Sequence, residues 1–251
     1  MDRGLYVAMS GAQAALRAQA AVSHNLANAS TTGFKALLHA TEAFPVEGAE
    51  IASRSYAMGD IGGFDARAGV LQSTGNPLDF ALNGADLWMA VADRGGQPAY
   101  TRATDLKLDA AGRLTNGRGQ PVLDDAGQPI ALPPFQSLSI GGDGTVSIVS
   151  LGDNTGTAQN VARIGVVQAD PTTLKRGEDG LFRPAAADPE SQPQPAAGNV
   201  LMSGVLEGSN VNATEQLVQM ISLSRQFEMN LKVIRSGDEN ARASTTLLRA
   251  R

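Results

Sequence analysis

The chain has 251 residues, no cysteine, and a formal net charge of −5 at pH 7. Those numbers exclude disulfides and cysteine-based zinc sites, and without a basic block they argue against a nucleic-acid surface. Residues are 42% hydrophobic but only 4% aromatic, with 28 glycines, enough apolar material for one large or two small modest cores. No run of about 18 uncharged, strongly apolar residues exists, so no membrane-spanning helix is expected. Arg3 followed by an apolar stretch imitates a secretion signal, but Gln13, Arg17 and Gln19 interrupt it. The N-terminus is therefore expected to belong to the working protein, without a cleaved signal peptide.

The first predicted element is a helix from Gly4 to Asn28. Steps of three and four give Leu5, Ala8, Ala12, Ala15, Gln19, Val22 and Leu26, six of them apolar. Asp2 is a candidate N-cap, and Gly33, after Ser30-Thr31-Thr32, a candidate stop. Between Gly4 and Phe34 the only formal charge is Arg17. A solvated helix normally carries several charges, so this one is expected to be covered on more than one side.

Residues 31–74 lose helical periodicity and read as an extended, partly irregular linker with Pro45, Gly59, Gly62, Gly63 and Gly69. A loop of that length inside a compact domain needs neighbours to hold it. Residues 75–205 then read as a β-rich domain of hairpins. Strands are expected at 78–82, 87–92, 106–108, 138–140, 145–149 and 161–168. Asn83-Gly84, Ala111-Gly112, Asn116-Gly117, Ala126-Gly127 and Asp143-Gly144 supply the turns. The Pro- and Ala-rich stretch 184–195 is expected to be a surface loop.

Residues 206–251 end the chain with a second helix, beginning after Asn212. Asn212 and Glu215 have the spacing of a capping box. The positions Leu217, Met220, Ser224, Phe227, Leu231, Ile234, Asp238, Ala241, Thr245 and Leu248 form a seam of coiled-coil type, seven of ten apolar. About 37 residues make a rod of roughly 55 Å, longer than the roughly 45 Å diameter of a globule this size. Its apolar seam therefore needs a partner.

Chemistry is sparse. His24 and His39 are the only histidines, and no HExxH, nucleophile elbow, Walker loop or dinucleotide fingerprint occurs. Gly117-Arg118-Gly119 resembles part of a phosphate loop but lacks a third glycine and sits in a turn. Asp124-Asp125 and Asp143-Gly144 lack the further ligands of a calcium loop. Asp79, Asp86, Asp93, Asp105 and Asp109 could in principle hold a hydrolytic carboxylate pair, though aspartate beside glycine ordinarily marks a turn. No enzyme, metal or cofactor is expected; a ligand-binding or hydrolytic β domain with helical oligomerisation ends is the alternative.

Both ends carry longer motifs. SHNLANASTTGFKA (Ser23–Ala36) resembles the N-terminal signature of the flagellar rod and hook axial proteins. SGVLEGSNVN (Ser203–Asn212), followed by Glu215, Met220, Ile221, Arg225, Phe227, Glu228 and Met229, resembles their C-terminal signature. TGNPLDFALNGADLWMAV (Thr74–Val91) is similar to the start of their β domain. Gly208, Arg225-Gln226-Phe227 and Trp88 lean toward the proximal-rod rather than the distal-rod type. The resemblance implies an α+β fold: N- and C-terminal helices pair as a coiled coil, with an extended linker and an inserted, mostly antiparallel β domain. It implies a subunit that assembles helically into a periplasm-crossing drive shaft. The implied partners are copies of itself, related rod subunits and the flagellar type III export apparatus. On this resemblance the assembly interface falls on Leu5, Ala12, Leu16, Asn25, Leu26, Asn28, Gly33, Phe34, Asn210, Leu217, Met220, Ile221, Phe227, Leu231 and Ile234. Without partners for their seams, both terminal segments are expected to be largely disordered in the isolated monomer and to fold on assembly.

Overall fold

The computed structural model describes residues 2–45, 55–152, 156–185 and 192–249. The chain divides into two compact units: Met1–Ala29, Ala36–Phe64 and Val211–Arg251 form one, Ser30–Lys35 and Asp65–Asn210 the other.

The first unit holds two helices, α1 (Asp2–Ala27) and α2 (Ala213–Arg249), and a hairpin of β1 (Leu37–Pro45) and β2 (Ser55–Phe64). The helices run antiparallel. Gln19 Nε2 donates to Ser224 Oγ at 3.4 Å and Asn25 Nδ2 to Gln216 Oε1 at 3.3 Å. Farther along, Gly11 faces Asn230 and Gly237 faces Leu5, where an added Cβ would come within 3.2 and 3.1 Å of the opposing side chain. The expected α1 seam is the one used: Ala8, Ala12, Ala15 and Val22 are buried and Leu5, Gln19 and Leu26 half-buried. Ala14, Ala18, Ala21 and Asn25 form a second buried row, and α1 also contacts both strands of the hairpin. Small side chains on two faces are what let one helix carry two neighbours at close range.

Three expectations change here. The half-buried row of α2 is Gln216, Met220, Leu223, Phe227, Asn230, Ile234 and Gly237, with Ser224 and Leu231 beside it. Of the expected seam Met220, Ser224, Phe227, Leu231 and Ile234 are half-buried and Leu217, Asp238 and Thr245 exposed, while the side chains of Ala241 and Leu248 lie outside the described ones. Apolar residues occupy two neighbouring heptad rows, so spacing alone does not choose between them. Helix α1 ends at Ala27, one residue before the expected Asn28, and Asn28 Nδ2 donates to the His24 carbonyl at 2.8 Å to cover its last turn. Residues 31–74, expected as an extended, partly irregular linker, contain a long antiparallel hairpin with a register shift between Leu37 and His39. Its glycines mark close strand approach: a Cβ on Gly62 would stand 2.8 Å from that of Ala40. Asn212 does cap α2, accepting from the amides of Thr214 and Glu215 at 3.1 and 3.3 Å, without the reciprocal Glu215 bond.

The second unit is a set of short antiparallel strands around one core. Its strands are β3 (Leu71–Ser73), β4 (Phe80–Leu82), β5 (Leu87–Ala92), β6 (Pro98–Thr101), β7 (Leu106–Leu108), β8 (Leu114–Asn116), β9 (Phe135–Ile140), β10 (Thr145–Ser150), β11 (Gln159–Arg163), β12 (Val166–Gln168), β13 (Leu174–Arg176), β14 (Phe182–Pro184), β15 (Gln194–Pro195), β16 (Leu201–Ser203) and β17 (Val205–Glu207). The largest sheet has the order β13-β14-β6-β5-β12-β15, and β11-β10-β9 forms a second. The stretch 161–168, expected as one strand, breaks at Ile164-Gly165 and passes from the second sheet to the first. Half of the expected loop 184–195, residues 186–191, lies outside the described residues; its ends belong to β14 and β15. Strand β5 is buried on both faces. Leu87, Met89 and Val91 join Phe80, Leu114, Val122 and Val146 in the main core. Trp88 faces the other way, against Phe182 at 4.6 Å between ring centroids.

One turn recurs four times. Asp93, Asp109, Asn116 and Asp124 each accept from the backbone amides two and four residues on. The glycine at the third following position (Gly96, Gly112, Gly119 or Gly127) has positive φ. The polar turn residues thus satisfy hairpin backbone rather than face a ligand.

Candidate functional site

The N- and C-terminal signatures meet inside the β unit. The Gly33 amide donates to the Glu207 carbonyl at 2.7 Å, and the Asn210 amide to the Phe34 carbonyl at 3.3 Å. Gly33 has φ +63, and a Cβ there would collide with the Arg102 carbonyl, so the tight approach requires glycine. Asn210 Nδ2 donates to the carbonyls of Asp65 and Arg67 at 2.9 and 3.0 Å. The stretches where the chain enters or leaves this unit are thereby bonded to one another.

At the centre lie three charges, Lys35, Arg102 and Glu207, each at most 2% exposed. Glu207 Oε1 accepts from Lys35 Nζ at 2.8 Å and from the Gly69 amide at 2.9 Å. Its Oε2 accepts from Arg102 Nε at 2.7 Å and meets Nη2 at 2.5 Å. Lys35 also donates to the Arg67 carbonyl at 2.8 Å, and Arg102 Nη1 to the Gly84 and Leu87 carbonyls at 2.7 and 2.8 Å. Fully buried charges survive only when paired and bonded in this way. Burial pushes the Glu207 carboxyl up, but Arg102 and then Lys35 outweigh it and hold it below the ordinary range. Lys35 is pulled down by burial first and then by Arg102, with Glu207 acting in the opposite direction. Two cations share one carboxylate, so Glu207 is the member that cannot be lost.

Sequence reasoning quoted Lys35 and Glu207 within motifs but did not pair them, and missed Arg102. The available signal was isolation: no formal charge lies between Arg17 and Lys35, or between Glu190 and Glu207. A lone charge in an apolar motif, matched by a lone opposite charge in another, is a candidate buried pair.

The expected interface residues fall into three groups. Gly33, Phe34 and Asn210 belong to the clasp just described; Phe34 is buried, with the Arg176 guanidinium 4.5 Å above its ring. Leu5, Ala12, Asn25, Leu26, Met220, Phe227, Leu231 and Ile234 are buried or half-buried within the helical unit. Asn25 is fixed there, donating to the Leu37 carbonyl at 3.0 Å and accepting from the Leu37 amide at 2.8 Å. Asn28 serves the end of α1. Leu16, Leu217 and Ile221 are exposed.

Those three lie in longer exposed rows. On α1 the exposed positions Tyr6, Met9, Gln13, Leu16, Ala20, Ser23 and Ala27 repeat in steps of three and four. On α2 Leu217, Val218, Ile221, Met229 and Val233 are all at least 49% exposed. Val218, Ile221, Met229 and Val233 lie opposite the half-buried row. A helix apolar on two opposing faces is built for neighbours on both.

Asp93, Asp109 and Asp143 are not poised as general acids, and Asp79 serves a turn. Asp79 accepts from Thr74 Oγ1 and Asn76 Nδ2. Hydrogen bonds from Arg183 to Asp93, from the Arg113 amide to Asp109, and from Thr145 to Asp143 hold these carboxyls below their usual range. A general acid needs the opposite shift. Among the described residues no group of three or more His, Cys, Asp or Glu side chains could hold a metal ion, and no helix is long and apolar enough to cross a membrane.

Comparison with known proteins points the same way. Residues 5–35 match the family "Flagella basal body rod protein", residues 81–148 the "Flagellar hook protein FlgE/F/G D1 domain", and residues 202–247 the "Flagellar basal body rod FlgEFG protein C-terminal". The chain is 42% identical to the flagellar basal-body rod protein FlgF of Escherichia coli (strain K12) and 40% identical to that of Salmonella typhimurium. Both matches cover 99% of each chain. It is 34% identical to the rod protein FlgG of Bacillus subtilis, over 95% of this chain and 96% of that one.

Proposed function

This chain belongs to the flagellar basal-body rod proteins, in their FlgF-like group, and from that premise we propose how it builds the rod. It is a structural rod subunit of the flagellar basal body and not an enzyme, which sets aside a hydrolytic β domain. Helices α1 and α2 act as an antiparallel coiled-coil unit, residues 1–30 with 206–251, that tiles with copies of itself and related rod subunits. Residues 31–74 brace adjacent subunits, and residues 75–205 form the β domain. Contacts between unlike surfaces propagate a helical array instead of closing a ring, and such an array crosses the periplasm as a shaft that carries torque. Delivery through the flagellar type III export apparatus is part of the same reading and follows from the resemblance.

One observation carries this proposal: α2 is apolar on two opposing faces, and only one of them is answered by α1. The test is incorporation of full-length variants into basal bodies. Leu217→Asp and Ile221→Asp are expected to reduce incorporation at least tenfold while the purified chains keep the wild-type β-unit melting transition. Wild-type incorporation of both would sink the tiling reading.

A further inference from the structure

The turn Asn116-Gly117-Arg118-Gly119 does more than connect strands. Four arginines of the β unit are not exposed: Arg102, Arg163, Arg176 and Arg183. Arg102 meets Glu207, Arg163 meets Asp125 at 3.4 Å, and Arg183 meets Asp93 and Asp179 at 2.9 and 2.6 Å. Among the described residues Arg176 meets no carboxylate. The charge that acts on it is another cation, Arg118. Arg118 Nη1 and Arg176 Nη2 lie 2.8 and 3.6 Å from the one point that a Cβ on Gly180 would occupy. Gly180 has φ +78 and carries no such atom. The Arg176 group is pre-oriented, stacked on Phe34 and with Nη1 3.5 Å from the Lys35 carbonyl. Burial, then the charge of Arg118, lowers its pKa to about 10; it remains a cation at neutral pH.

Two guanidinium groups converging without a counter-ion repel each other, an arrangement that an arriving anion relieves. We propose that Arg118 and Arg176 form a fork that binds a side-chain carboxylate presented by a neighbouring axial subunit. Charge complementarity favours this occupant: the fork is cationic in a subunit whose own net charge is −5, so a second copy of the chain brings carboxylates to it. A planar guanidinium held by an aromatic ring suits two-pronged carboxylate recognition better than a flexible ammonium. The proposal rests on the tiling reading above and adds the chemistry of one contact within it.

The Arg118 side chain is exposed and forms no hydrogen bond or ion pair among the described residues, and the turn bond of its backbone amide to Asn116 Oδ1 does not depend on the side chain, so its replacement spares the fold. Full-length Arg118→Glu is expected to lower incorporation into basal bodies at least tenfold, with Arg118→Gln intermediate and both melting as wild type. Arg176→Lys, which keeps the charge and loses the planar stack, is expected to fall between Arg118→Gln and wild type. In the purified wild-type chain, acetate and inorganic phosphate at constant ionic strength should shift the amide resonances of residues 118, 176 and 180 saturably, and Arg118→Gln should abolish the shift. Wild-type incorporation of Arg118→Glu, while Ile221→Asp is blocked, overturns the fork and leaves tiling intact. Phosphate-sensitive shifts with unimpaired incorporation of Arg118→Glu would mark a small-anion site and overturn the subunit contact. Normal incorporation of Ile221→Asp as well would remove the tiling reading itself.

Discussion

The β unit completes itself and the helical unit does not. Around Phe80, Leu114 and Val146 the β unit encloses a core, and its buried charges form a bonded trio. In the described part of α2 no residue is fully buried, although apolar side chains line two of its faces. The lesson concerns where stability resides: one region encloses its apolar side chains within its own chain, the other leaves rows of them exposed.

Several measurements can break that contrast, beginning with the largest expected change. Glu207→Gln strands Lys35 and Arg102 without a carboxylate and should cost about 3–5 kcal/mol in urea unfolding of the β unit. The triple change Lys35→Met, Arg102→Met, Glu207→Leu should recover most of that loss, because an apolar replacement leaves no charge unpaired. A loss below about 1 kcal/mol for Glu207→Gln would mean that the clasp is not essential to the unit.

Core truncation sharpens the contrast directly. Leu114→Ala should destabilise the isolated chain by about 2–5 kcal/mol, whereas Leu217→Ala should stay within about 0.5 kcal/mol yet impair assembly. Comparable losses for both would erase the distinction between the units.

Acid should report on the clasp as well. Glu207 has a folded pKa below its unfolded value, so its stabilisation is fully present above the ordinary glutamate range. It is lost as pH falls from that range through the depressed native value. Wild-type stability should show this decline, and the triple variant should show a shallower one; identical profiles would contradict the assignment.

Smallest is the cap. Asn212→Ala should remove about 1 kcal/mol from α2, visible as faster amide exchange in the first turn with none in the β unit. In the wild type the α2 amides should already exchange faster than those of β5, since none of the described α2 side chains is fully buried. Equal protection would mean that the helical unit is complete alone.

Much of this organisation was legible in the residues. The α1 seam from Leu5 to Leu26, the cap at Asn212 and strands such as Leu87–Ala92 follow from local rules of spacing and turn chemistry. The inner row of α2 shares Met220, Phe227 and Ile234 with the expected seam and departs from it at Leu217 and Asp238, because side chains of two adjacent heptad rows are half-buried. The hairpin at 37–64 was missed because strand pairing is non-local and its glycines looked like breaks. The clasp was missed because Lys35, Arg102 and Glu207 are far apart in sequence, and no spacing rule connects them.

Sequence by itself determined the two terminal helices, the β-rich middle and, through its end motifs, the rod-protein family. Those depend on periodicity, capping and motif order, all of which are written along the chain. Only the tertiary structure decided which faces are spent within the chain and which remain exposed. It alone brought Lys35 and Arg102 to one carboxylate and Arg118 beside Arg176 with none. The physical reason is that burial and charge pairing depend on distances in space, and local sequence does not constrain those distances.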